Sequence, residues 1–221
     1  MNTSMYHDEN ALRRGWIGAG LVGMAWLALA LWSWSPYAAW LDHDQMGAVE
    51  ATLPVRMVVF ALGWTLMVIA MMLPGTLPVL ARATGSAPVI VAWATVWLGF
   101  GALSYLADNV LHEVVHRAPS LAGLIAPGLL LLAGIYQLTP VKRYFLEQCR
   151  PEEMVRSRLD HMTAAARWSI GVRHGLNCVG SCWALMLLMM ALGGMNLLGM
   201  LLLSVVMTVE RLTHHSQALT L

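Results

Sequence analysis

Long apolar runs separated by short polar segments organise this chain. Four of them have the length of a membrane span and cover about 16–34, 55–80, 88–105 and 121–138. The second continues past Pro74 and carries another proline, Pro78. The last run, about 177–209, exceeds the roughly 20 residues that one span needs. Gly193 and Gly194 divide it into 177–192 and 195–209, both short enough to require tilting or local thinning of the bilayer. One long tilted helix is the alternative. The pattern therefore predicts six helices crossing a membrane. A surface helix over about 152–169 is expected within the one substantial hydrophilic stretch, 139–171.

Composition strengthens this reading. Hydrophobic residues make up 58% of the 221, and charged residues 11%, against about 25% in soluble domains. The net charge of +1 gives no reason to expect a nucleic-acid partner. The placement of charge is more informative, because cytoplasmic loops collect Lys and Arg. With the N-terminus inside, Arg13, Arg14, Arg82, Lys142, Arg143, Arg150, Arg156, Arg158, Arg167, Arg173 and Arg211 all fall inside. Only Arg56 and Arg117 fall outside. This bias implies an even number of spans with both termini in the cytoplasm. The first run is too long and too rich in Trp for a cleaved signal peptide and reads as an uncleaved anchor. The organisation expected is a cytoplasmic tail over 1–15 and one helical membrane domain over 16–221, with a basic inner loop at about 139–175.

Candidate chemistry begins in the fifth run. His174, Cys178, Cys182, Met186 and Met190 recur every four residues. Side chains four apart on a helix are neighbours on one face. The stripe drifts by about 40° per step, so it forms overlapping pairs rather than one cage. Imidazole, thiolate and thioether are ligands for soft or borderline metals, Cu(I) and Zn(II) above all. Cys149, in the inner loop, supplies a further thiol. A cytoplasmic position argues against a structural disulfide among these cysteines. The competing reading is packing: Gly175, Cys178, Gly180, Ser181 and Cys182 are small residues that let two helices approach closely.

A second constellation is AMMLPGTLP, residues 70–78. Two prolines four apart remove helical hydrogen bonds and open the helix, and Met67, Met71 and Met72 bring thioethers to that point. The third is HEVVH, His112 to His116, the spacing of a zinc-protease motif when helical. It lies in an outer loop directly before Arg117, Ala118 and Pro119, without an evident third ligand. Asp42, His43, Asp44, Met46 and Glu50 make the outer face acidic and His-rich, either to attract a cation or because the basic residues lie inside. Glu210 and Arg211 read as an interfacial anchor at the end of the last span.

Three motifs together resemble a known family: AMMLPGTLP (70–78), YQLTPVKRYFLEQCRP (136–151) and GVRHGLNCVGSCWALMLLMMALGGMNLLGM (171–200). They resemble the domain of unknown function 2182 family, described as predicted metal-binding integral membrane proteins. The resemblance implies that Met71, Met72, Pro74, Tyr136, Gln137, Thr139, Pro140, Lys142, Cys149, His174, Gly175, Cys178, Cys182, Trp183, Met186, Met195 and Asn196 occupy the family's signature positions. The chain departs from that pattern at Tyr144 and Phe145, and at Ser181 and Cys182, where members often carry additional cysteines.

The expectation is an all-α polytopic bundle in a bacterial inner membrane. It binds a soft metal, copper first and zinc second, near its cytoplasmic face. Cys178 and Cys182 lead the ligand set, with His174 and Cys149 next and Met71, Met72 and Met186 as an adjacent soft shell. The role expected is metal handling or insertion rather than catalysis, with the lipid bilayer and a membrane or periplasmic protein as partners. Two alternatives remain: an assembly subunit that binds no metal, and a metalloprotease built on His112, Glu113 and His116.

Overall fold

A computed structural model describes residues 3–35, 38, 52–82, 87–118, 120, 122–149, 162–191 and 196–218. Among these residues the protein is all-α, with seven helices. They are α1 (Thr3–Ser33), α2 (Leu53–Arg82), α3 (Ala87–Arg117), α4 (Ala122–Gln137), α5 (Pro140–Gln148), α6 (Ala164–Ala191) and α7 (Leu197–Ala218). Three stretches are long and apolar enough to cross a membrane: Gly15–Ser33, Pro54–Thr76 and Ala87–Leu111. A fourth arises if α4 and α5, which meet at 66°, form one bent span. Helix α1 begins well before the first apolar run and takes in most of the expected tail. The last apolar run is two helices, α6 and α7. The expected surface helix lies partly outside the described residues, and 164–169 form the first turns of α6 instead.

Proline does not open α2 as the sequence predicts. Pro74 removes the hydrogen bond that the Ala70 carbonyl would accept, yet the helix runs on to Arg82. The Trp26 indole of α1 donates to that same carbonyl at 3.1 Å. Thr76 adds a hydroxyl bond to the Leu73 carbonyl at 2.9 Å. Side chains thus satisfy backbone groups that water cannot reach in an apolar interior.

Aromatic rings join α2 to α3. The Trp64 indole donates to the Trp97 carbonyl at 2.9 Å. Phe60 and Phe100 pack against it, and Tyr105 tilts onto Phe60. Gly101 makes room for this indole, since a Cβ there would lie 2.6 Å from Trp64 Nε1. On the other side, α3 and α6 meet through glycines. A Cβ on Gly171 would lie 2.7 Å from Ala92 Cβ and 2.9 Å from Val89 Cα, and one on Gly175 would lie 2.8 Å from Val96 Cβ. The packing reading of the small residues therefore holds for the glycine face of α6. The cysteines face elsewhere, into the core between α6 and α2.

The bend between α4 and α5 positions the inner end of the bundle. Thr139 caps α5 by accepting from the Lys142 amide, and Pro140 occupies the first turn, where its missing N–H costs nothing. Tyr136 secures the bend by donating to the Gly180 carbonyl of α6 and packing edge-on against Trp183, with centroids 5.0 Å apart. Phe145 fills the space that Gly180 leaves open.

A buried sulfur cluster and its arginine

The four-residue repeat on α6 points its cysteines inward. Cys178 is 0% and Cys182 3% exposed. Met72 of α2, also 0% exposed, meets them from the facing helix. The Cys182 Sγ lies 3.8 Å from the Met72 Sδ and 2.9 Å from the Cys178 carbonyl, to which its thiol donates. Cysteines 178 and 182 are both free thiols, as is Cys149.

Cys149 ends α5 as its C-cap, its amide bonded to the Phe145 carbonyl at 3.1 Å. The bend at Thr139 brings it back to the core beside α6. Burial pushes the Cys149 thiol up to about 12. His174 lies one turn before Cys178 on α6. Its Nε2 is buried without a hydrogen-bond partner.

The residue that the sequence reading misplaced is Arg211. It does not extend to the interface with Glu210. Its Nη2 donates to the Cys178 Sγ at 2.9 Å and reaches the Met72 Sδ at 3.8 Å. The side chain crosses α2 at Gly75, where a Cβ would lie 2.7 Å from Arg211 Nη1 and 2.8 Å from its Cδ. Glu210 turns the other way. Lys142 Nζ, on a side chain only 3% exposed, donates to both Glu210 oxygens at 2.7 Å. This ion pair ties the end of α7 to α5. The signal in the sequence was a glycine inside the proline motif and a basic residue at the close of the last run, which nothing local connects.

Chemically, the cluster offers two thiols and a thioether from two helices. Among the described residues, no group of three His, Cys, Asp or Glu side chains stands together as a metal-holding set, so a site here needs the methionine. Metal–sulfur bonds of about 2.3 Å, as for zinc thiolates, span the 3.8 Å between Cys182 Sγ and Met72 Sδ with an S–M–S angle of about 110°. That angle suits a tetrahedral or trigonal ion, and the all-sulfur donor set favours Cu(I). Met71 and Met186 are buried in the same core, at 1% and 0% exposure.

The zinc-protease spacing lies on the last turns of α3, so the motif is helical. Glu113 is exposed, however, and its carboxylate is held by Arg117 at 2.7 Å. Asp42, His43, Asp44, Met46 and Glu50 lie outside the described residues.

A family model for PpoB2, described as copper chaperone, matches residues 61–221. No curated protein and no solved structure is significantly similar to the chain. The match corrects the resemblance drawn from the three motifs: the family is not the domain of unknown function 2182 family but a different one, already associated with copper. It covers most of the sequence, including every residue of the sulfur cluster, and the chain belongs to the PpoB2 copper chaperone family.

Proposed function

We propose that this protein is a membrane-embedded copper chaperone that carries one Cu(I) on Cys178, Cys182 and Met72 at the cytoplasmic end of the bundle. The observation that carries the reading is the convergence of three buried sulfurs from α2 and α6, with Cys182 and Met72 at the spacing of two ligands on one ion. Membership of a copper chaperone family supports the choice of metal. Cys149 and His174 lie beside the cluster and supply donors for receiving or passing on the ion. Zinc is the weaker candidate, because its sites draw on Cys, His and carboxylates rather than thioether.

The membrane setting rests on three apolar helices of spanning length and on the large apolar side chains exposed along them, such as Leu21, Leu62 and Leu103. With α4–α5, α6 and α7 as further crossings, the chain has six spans, both termini in the cytoplasm, and a multi-pass location in a bacterial inner membrane. The recipient of the copper is then a membrane or periplasmic protein.

The test is metal content of the reduced, purified protein by elemental mass spectrometry. Wild type loaded with Cu(I) and washed retains about one copper per chain, and a Cys178→Ser, Cys182→Ser double variant retains none. Equal retention by the two proteins refutes the assignment.

A further inference from the structure

The sulfur cluster already holds a cation. We propose that the Arg211 guanidinium is a built-in stand-in for the cargo, occupying the sulfur cluster when copper is absent and displaced from it when Cu(I) binds. This rests on the copper reading above and adds to it how the empty site is kept and how loading is signalled.

Three features of the cluster carry the inference. First, the geometry is that of a ligand set around a cation: one guanidinium nitrogen lies 2.9 Å from Cys178 Sγ and 3.8 Å from Met72 Sδ. Two of the three sulfurs assigned to copper are thus the sulfurs that Arg211 addresses. Cu(I) bound to both would sit in the space that Nη2 now fills, so the two cations exclude each other. Secondly, the path is purpose-shaped. The side chain lies in a slot over α2 that exists only because residue 75 is glycine. Thirdly, arginine cannot leave by losing its proton. It must move bodily, and its long apolar stem lets the charged head swing towards the nearby interface.

Steric exclusion, not net charge, drives the exchange: Nη2 and the ion compete for the same two sulfurs, and each thiol that takes up Cu(I) releases its proton to solvent. The neighbouring Lys142–Glu210 pair holds the backbone at the end of α7 in place, so the movement falls on the Arg211 side chain.

The experiment is arginine modification by phenylglyoxal, read peptide by peptide with mass spectrometry, on full-length protein in detergent with and without stoichiometric Cu(I). Exposed Arg13 serves as the internal reference. Loading is expected to speed modification of Arg211 about tenfold, as a protected side chain opens to solvent. Gly75→Ala, whose added Cβ pushes Arg211 out of its slot, is expected to show the fast rate without copper and to bind Cu(I) about tenfold more tightly. Copper-loaded wild type whose Arg211 reacts at the copper-free rate overturns the proposal. So does a copper-induced increase in the Cys178→Ser, Cys182→Ser variant. Failure of wild type to bind Cu(I) at all removes the copper reading and this inference together, while binding without release of Arg211 removes this inference alone.

Discussion

Replacing Lys142 by Met tests how the inner end of the bundle is held, independently of any metal. The side chain is 3% exposed, and its ammonium donates to both oxygens of Glu210. Lys142→Met roughly keeps the volume and removes the charge. Deleting one partner of a buried ion pair costs about 3–5 kcal/mol, because the other charge is left uncompensated. Glu210 keeps 29% of its side chain exposed and has a further interaction besides Lys142, so solvent and that contact relieve part of the penalty and the expected loss is about 2–3 kcal/mol. Lys142→Met together with Glu210→Met removes both charges and should return to within about 1 kcal/mol of wild type. Stability is read by titrating sodium dodecyl sulfate into mild detergent, with tryptophan fluorescence and circular dichroism as probes. Glu210→Met strands the more deeply buried Lys142 and should cost at least as much, so the double-mutant cycle of the four proteins has an expected coupling of about 3–5 kcal/mol. A coupling below about 0.5 kcal/mol would refute the reasoning, since the two residues would then act independently.

Met72→Leu conserves volume, so stability should change by less than about 1.5 kcal/mol, while Cu(I) affinity in competition with a chromogenic chelator falls about tenfold or more, the loss of one ligand. Gly171→Ala forces apart the backbones of α3 and α6 and should cost about 1–3 kcal/mol in the same detergent titration; an unchanged midpoint would mean these helices do not pack at Gly171. Tyr136→Phe removes the bond to the Gly180 carbonyl and should cost about 1 kcal/mol. Glu113→Gln breaks an exposed pair with Arg117, so stability should shift by less than about 1 kcal/mol and copper retention should stay at the wild-type level; loss of the metal would move the site to the HEVVH segment.

Local pattern made much of the helical framework legible. Apolar runs of spanning length located α1, α2, α3 and α4, and paired glycines marked the break before α7. The continuity of α2 through Pro74 was not legible, because the group that satisfies the Ala70 carbonyl is Trp26, on another helix. The four-residue repeat brought Cys178 and Cys182 together on one face, and the proline motif supplied Met72. What sequence spacing could not provide was the return of Cys149, which depends on the bend at Thr139. Arg211 was misread for a related reason. A basic residue at the end of an apolar run ordinarily extends to the interface. Here a missing side chain at Gly75 lets it turn inward instead. Met186, on the same stripe as the cysteines, lies one turn beyond Cys182 and is buried in the same core.

The measurement that tests the copper site most directly is X-ray absorption at the copper K-edge on Cu(I)-loaded protein, wild type and Met72→Leu side by side. A first shell of about three sulfurs near 2.3 Å is expected in wild type. The variant is expected to show one fewer, with a compact, low-coordinate signature in both. A first shell dominated by nitrogen and oxygen, or one that Met72→Leu leaves unchanged, would contradict a copper site built from Cys178, Cys182 and Met72.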